Sequence, residues 1–351
     1  MAQGTKRAGS RERGAGSFCR AITLRIFYVL FLFAPGVLCS VPFLISFPAC
    51  AESLLYYSSP SEIPGVSREM RSPGFWIARH PDPDGIVMGP VAIVRFNESL
   101  QTAKIVSDLA DFSMSFDGPR LKDELSMIMR GLKKRSLFEA SGREAGAAFY
   151  QSADLEADLS HIPASVEPRF GFVITSADER LLPDREPLYA KAGDLDFDEV
   201  QNSALAIAEP VVVLHKSYSG RWLFVKDTIA SGWVEASRVA FATHDEFVSY
   251  LHRKDVIVVT EPKADLYLDR EMRKYYGTVR MGSRFVLKSP AGRSVEVLLP
   301  HRQSNGSLAF VSGFLPREDV SFGFLPFTPR IIYRQAFKML NAPYGWGDMY
   351  G

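Results

Sequence analysis

Apolar residues along this chain follow first one period and then another. Between Ser99 and Phe112 they fall at Leu100, Ala103, Val106, Leu109 and Ala110, and between Leu121 and Leu132 at Leu121, Leu125, Ile128, Met129 and Leu132. Spacings of three and four place each set on one face, so both segments are predicted to be helices buried on one side. Ser141-Gly142-Arg143-Glu144 has the spacing of a capping box and predicts a third short helix toward Tyr150. Ahead of these, Pro60, Pro64, Pro73, Pro81, Pro83 and Pro90 keep residues 58–92 out of long helices.

Beyond residue 165 the pattern shortens. Phe170–Thr175, Val211–His215, Arg221–Val225 and Gly232–Glu235 are β-branched or aromatic runs separated by turn residues, as in small antiparallel barrels. A second set follows at Val256–Thr260, Leu266–Leu268, Phe285–Leu287, Val295–Leu299 and Leu308–Val311. The sets resemble each other: Leu214–Val225 aligns with Leu299–Val311, and Gly232-Trp233-Val234 with Gly323-Phe324-Leu325. A repeat of about 86 residues suits two tandem copies of one small domain rather than a solenoid unit. Asn305-Gly306 predicts a hairpin turn in the second copy. The helical period then returns. Thr328 is placed as an N-cap with Pro329 at the first helical position, Ile331–Leu340 reads as helix, and Asn341-Ala342-Pro343 stops it. That helix shows an apolar face, Ile332, Ala336, Phe337 and Leu340, with no later element to cover it.

Charge divides the chain unevenly. Of 351 residues, 41 are Lys or Arg and 40 Asp or Glu, yet residues 1–51 hold six basic residues and one acid, a net of +5. Residues 52–351 therefore hold 35 basic and 39 acidic residues, a net of −4, which argues against a nucleic-acid groove. The basic start, the apolar run Ile26–Leu38 and Ala49-Cys50-Ala51 match a secretory signal. An uncleaved anchor is the alternative, since Ile26–Phe47 approaches the ~20 apolar residues a spanning helix needs. A lipoprotein modification at Cys50 fits less well, with Phe47-Pro48-Ala49 before it. Either way the body is expected outside the inner membrane, in the periplasm or cell envelope.

Chemistry is sparse. Cys19, Cys39 and Cys50 all lie in the leader, which excludes a disulfide framework, a zinc ribbon and a cysteine nucleophile from residues 52–351. There is no G-x-S-x-G, H-E-x-x-H, Walker or G-x-G-x-x-G motif, and the six histidines are scattered. No metal and no cofactor is expected. The acidic run Asp194-Leu-Asp196-Phe197-Asp198-Glu199 is either a solvated loop or a site for an ammonium group.

Three stretches together resemble a known family. The first runs from Phe170-Gly-Phe-Val-Ile through Asp178-Glu-Arg180-Leu-Leu-Pro183, Asp194–Ser203, Glu209–Ser217 and Gly220-Arg-Trp222 to Gly232-Trp-Val234. The second is Gly323-Phe-Leu-Pro-Phe-Thr328, and the third joins Gln335–Leu340 to Pro343-Tyr-Gly-Trp-Gly347. Over residues 60–351 this order is similar to exported NlpC-type cell-wall cysteine peptidases with an N-terminal helical clip and two bacterial SH3-like domains. Such enzymes cleave murein stem peptides between D-glutamate and the diamino acid. The resemblance implies an α+β multidomain chain: a signal or anchor at 1–51, a helical clip domain at 52–162, SH3-like barrels at 163–245 and 246–327, and the first helix of an incomplete papain-like domain at 328–351.

Two departures accompany the likeness. The family's Asp-Cys-Ser nucleophile and its histidine partners would follow Gly347, and neither is in the sequence, so the resemblance implies a chain cut before its catalytic cysteine and without peptidase activity. Asp184 also stands where the family usually has threonine after Pro183. Carried over onto matching positions, Tyr344 is the expected oxyanion helper with Trp346 packed beneath it. The first SH3-like domain is expected to recognise the free amine of an L-Ala-γ-D-Glu stem end, with Asp196, Asp198 and Glu199 as candidate acids and Trp222 and Trp233 as candidate aromatics. The expected partner is peptidoglycan, with no nucleic acid and with membrane contact only through an uncleaved leader. The alternative is a non-enzymatic wall-binding or scaffolding protein.

Overall fold

The computed structural model describes residues 65–342 and 344–348. The leader with its cysteines, Pro60, Pro64, Pro343 and residues 349–351 lie outside the described residues. The architecture is mixed α+β, with six α-helices and two extended antiparallel sheets among the described residues.

The helices are α1 (Pro73–Ile77), α2 (Pro90–Thr102), α3 (Gly118–Lys133), α4 (Ala147–Ala157), α5 (His244–Leu251) and α6 (Pro329–Lys338). Helix α3 follows its periodicity: Leu121, Leu125, Met129 and Leu132 are buried, and the Asp117 carboxylate caps it by accepting from the Arg120 amide at 2.7 Å. The predicted helix over Ser99–Phe112 is displaced. Pro90 opens α2 as one of its first residues, where a missing amide costs nothing, and the helix ends at Thr102. Beyond it the Asp108 carboxylate takes the amides of Ala110 and Asp111, and the Ser107 amide bonds Thr228, so tertiary contacts override the helical spacing there. Ser141–Glu144 is a turn rather than a capping box. Gly142 is left-handed at φ 82°, and Glu144 accepts from Ser136 instead of reaching back to an N-cap. The helix starts only at Ala147. A real capping box, Thr243 with Glu246, opens the unanticipated α5.

Seven strands form the first sheet: β1 (Arg169–Val173), β2 (Ala177–Arg180), β3 (Gln201–Leu205), β4 (Pro210–Lys216), β5 (Trp222–Lys226), β6 (Ser231–Glu235) and β7 (Val239–Ala242). Their order is β7-β1-β4-β5-β6-β2-β3. The second sheet has β8 (Val256–Val259), β9 (Lys263–Tyr267), β10 (Tyr275–Arg280), β11 (Arg284–Ala291), β12 (Ser294–Arg302), β13 (Leu308–Pro316) and β14 (Val320–Phe322), in the order β14-β8-β11-β12-β13-β9-β10. Substituting each strand for its counterpart seven places earlier gives the same order, and each sheet has a 3-10 turn before its last strand.

The duplication is therefore real, but its phase differs from the sequence alignment. Leu214–Val225 spans β4 and β5, whereas Leu299–Val311 spans β12 and β13, the counterparts of β5 and β6. Gly323-Phe324-Leu325 follows the last strand and is not a strand. Successive hairpins of a meander share the same apolar-turn-apolar signature, so a match between two of them does not fix which hairpin is which. The Asn305-Gly306 turn does form, with Gly306 at φ 90°.

The first sheet is covered on both faces, which explains its continuous apolar runs. Val211, Val213, Leu223, Val225 and Val234 point into its own interior. Their neighbours Val212, Leu214, Trp222, Phe224 and Trp233 pack on the other side with α3, α4 and α5. Phe172, Phe247, Tyr250 and Phe310 form an aromatic cluster between the two sheets, with Tyr250 and Phe310 stacked at 5.2 Å.

Helix α6 starts as predicted, with the Thr328 hydroxyl accepting from the Ile331 amide at 3.3 Å. Its neighbour comes from earlier in the chain, not later. Arg330 makes a two-point ion pair with Asp84 at 2.6 and 2.7 Å, its amide bonds Pro83, and α1 packs beside it. Ile332 and Leu340 stay about two-fifths exposed, at 40% and 44%.

Candidate functional site

The site is built on the excursion between β2 and β3. Arg180, at the end of β2, is 5% exposed and spends its guanidinium on that excursion: Nε donates to the Asp184 carbonyl, Nη2 to the Glu186 carbonyl, and Nη1 to Asp198 Oδ2 at 2.8 Å and Gln201 Oε1 at 3.2 Å. Asp198 Oδ1 in turn accepts the amides of Leu188 and Val200 at 3.0 and 2.9 Å. One buried ion pair thus fixes both ends of an 18-residue span.

Onto this excursion docks the chain's last described segment. The Trp346 indole donates to the Asp198 carbonyl at 2.8 Å, and its ring meets Phe197 edge-on at 5.4 Å. Tyr344 approaches the same Phe197 at 6.5 Å and is 75% exposed. Gln201 reaches from β3 to the Gly347 carbonyl at 3.4 Å. Gly347 is left-handed at φ 54°, and a Cβ there would fall 2.6 Å from Gln201 Cγ. Gly347→Ala is expected to release this segment, read as faster exchange of the Trp346 indole proton with no loss of global stability; unchanged exchange would refute the contact.

The sequence candidates therefore separate. Asp196, Asp198 and Glu199 share the loop that holds Tyr344 and Trp346, although about 150 residues of chain lie between them. Within that loop Asp194 and Asp196 are both exposed; Asp194 Oδ1 accepts the Asp196 amide at 3.4 Å, and of the three candidate acids Asp196 alone presents an exposed carboxylate. Asp198 is 2% exposed and fully engaged, so it is a fastener of the loop rather than a receptor for an ammonium group. Glu199 is half-buried and ion-paired with Arg135 at 2.8 Å. Trp222 and Trp233 are 5% and 0% exposed, on the helix-covered face of the first sheet, and Trp233 packs edge-on against Phe224 and His215. The structure corrects both to core residues, with the edge of Trp222 alone bordering a cleft. The sequence reading gave no role to Arg180, Phe197 or Gln201. No local pattern singles out Arg180, which ends the polar strand Ala177-Asp178-Glu179-Arg180.

Residues 187–235 match the family model of an SH3 domain of the SH3b1 type. They cover the docking loop and strands β3 to β6 of the first sheet. A solved NlpC/P60 endopeptidase from Photobacterium damselae subsp. piscicida has the same overall fold, at TM-score 0.58 and 21% identity over 76% of this chain and 61% of that one. An NlpC/P60 family protein from Bacillus cereus is similar at TM-score 0.32 and 19% identity, over 44% of this chain and 56% of that one. This chain thus spans 61% of the length of the Photobacterium protein. No curated protein matches it.

Behind the site lies a second polar feature. Glu179, next to Arg180 on β2, is completely buried, and only one of its oxygens has a partner, the Asn202 amide at 3.2 Å. Burial and the neighbouring Asp227 carboxylate push its pKa up to about 8. Burial raises Glu209 and Asp227 as well. Among the described residues no group of three His, Cys, Asp or Glu side chains is arranged to hold a metal, and no helix is long and apolar enough to cross a membrane.

Proposed function

We propose that this chain recognises murein stem peptides, as the N-terminal and SH3-like part of an exported, NlpC-type cell-wall hydrolase architecture. One observation carries the reading: the Tyr344–Gly347 segment is seated on the acidic loop of the SH3b1-type domain, through the Trp346–Asp198 and Gln201–Gly347 bonds. In this reading residues 52–162 are the helical clip region, the second sheet is a further SH3-like domain, and residues 328–351 open a papain-like domain.

The chemistry expected at the loop is ammonium capture. Asp196 supplies the free carboxylate, while Phe197 and Tyr344 offer aromatic faces beside it, a pairing that suits a cation. The N-terminal amine of an L-Ala-γ-D-Glu peptide at Asp196 would lay the following bond toward the Tyr344 hydroxyl, where a carbonyl oxygen gaining charge needs a donor. Cleavage requires a thiolate nucleophile. Residues 52–351 contain no cysteine, so this chain binds without hydrolysing.

Calorimetric titration with an L-Ala-γ-D-Glu-diamino acid peptide tests the reading. Saturable binding is expected, lost on acetylating the peptide amine and weakened about tenfold by Asp196→Asn, in line with one charge-assisted contact. No product should form on prolonged incubation. Equal binding of the acetylated peptide would remove ammonium recognition from the proposal.

A further inference from the structure

A second polar region lies on the far side of Arg180. Two clefts meet there, one of about 420 Å³ and one of about 610 Å³, and both are bordered by Arg185, Trp222 and Glu235. Both volumes fall within the ~300–1,000 Å³ of ordinary ligand pockets. The first is closed on one side by Ala204 and Leu205 of β3 and on the other by Thr278 and Arg280 of β10. Those strands are the edge strands of their respective sheets, so the cleft runs between the two sheets at their edges. The Arg280 guanidinium donates across it to the Ala204 carbonyl, bridging one sheet to the other.

The charge of this trough is opposite to that of the body around it. Residues 52–351 carry a net −4, whereas the walls hold six arginines against three carboxylates. Arg180, Arg280 and Arg302 are committed to the frame, Arg302 through the Val239 carbonyl. Arg185, Arg221 and Arg238 reach the surface, with the Arg185 and Arg238 side chains 79% and 43% exposed and Arg238 also donating to the Thr175 hydroxyl. Glu235, at the junction of the two clefts, pairs with both Arg185 and Arg238 and so holds two guanidinium groups side by side. Such paired, planar donors are matched to carboxylate or phosphate oxygens.

We propose that this trough binds an extended peptide carrying isolated carboxylates, with Arg185, Arg221 and Arg238 as its anion contacts. One feature selects a peptide over a phosphate polymer. Asp178, Asp184 and Glu235 are interleaved with the arginines, which repels a densely charged chain and tolerates carboxylates spaced by neutral residues. The site is separate from the ammonium-binding loop and stands without it.

Fluorescence anisotropy on the full chain, with a dye-labelled peptide of alternating glutamate and glycine, tests the proposal. Saturable binding that weakens with salt is expected, reduced about tenfold in Arg185→Gln and again in Arg238→Gln. Arg130→Gln, on the exposed face of α3, should bind as the parent does. Arg221→Gln gives an independent reading, being exposed and outside the Glu235 pairs. Absence of binding, indifference to all three trough variants, or preferential binding of inorganic polyphosphate would each overturn it.

Discussion

Replacing Arg180 with leucine is expected to lower unfolding stability by about 3–5 kcal/mol, the usual result of leaving one member of a buried ion pair alone. The magnitude follows from what remains behind. Asp198 is 2% exposed, and without Nη1 it has two backbone amides but no countercharge. Asp184, Glu186 and Gln201 lose their donor in the same step. Unlike an exposed pair such as Lys133–Asp154, screened by solvent and contributing little, this one sits inside the first sheet. Because Trp346 bonds the carbonyl of Asp198, the variant should also lose the docked segment and with it the stem-peptide binding proposed above. Urea unfolding monitored by circular dichroism gives the first effect and titration the second. Asp198→Asn should be costly too, since its new amide would face Arg180. A loss under about 1 kcal/mol in Arg180→Leu would show that the loop is held by something else.

Sequence patterning was informative wherever one physical term dominated. Helix α3 combines an Asp cap, a proline in the first turn and four buried apolar residues at helical spacing, and every one of these signals agrees with the others. The strands at Val211, Trp222, Val256 and Val295 were legible because their apolar runs are buried on both faces. Among the strands that escaped notice, Ala177–Arg180 and Gln201–Leu205 are mostly polar or small in sequence, while Val239–Ala242 and Val320–Phe322 are very short and Tyr275–Arg280 is interrupted by Gly277; all are drawn into sheets by pairing with a neighbour. No local period announces a strand whose partner supplies the reason for it. The slipped phase of the duplication has the same origin, since hairpin signatures recur within each copy.

The site was legible in its parts and not in its assembly. The acidic run and the Tyr344-Gly-Trp-Gly segment each stood out, yet only folding brings Phe197 against Trp346 at 5.4 Å. Which acid remains free depends on partners distant in sequence: Arg180 takes Asp198, Arg135 takes Glu199, and Asp196 is left at the surface. The tryptophans illustrate the converse. An indole is as ready to stack on a ligand as to fill a core, and the packing of α3 and α4 over the first sheet decided for the core at Trp233.

Stability should fall as pH rises through neutrality, and Glu179 should be the main cause. Its pKa is pushed up to about 8 in the folded chain from an ordinary value of 4.5, chiefly by burial and secondly by Asp227. The folded state therefore holds a proton between these values that the unfolded chain has released. Linkage then gives a stabilisation fully present below pH 4.5 and lost as pH rises through about 8. The slope for one proton is about 1.4 kcal/mol per pH unit, or roughly 4 kcal/mol between pH 5 and pH 8. Glu209 and Asp227, also raised by burial, act in the same direction. Asn202 offers its amide to either form of the side chain, and Gly232 packs against its methylenes, so Glu179→Gln keeps shape and hydrogen bond while removing the ionisation. Urea midpoints measured from pH 5 to pH 9 should decline steeply for the parent and much less for Glu179→Gln, with the variant the more stable at the alkaline end. Two parallel curves would mean that Glu179 does not titrate in this range, and that its buried, half-partnered carboxylate is accommodated by another route.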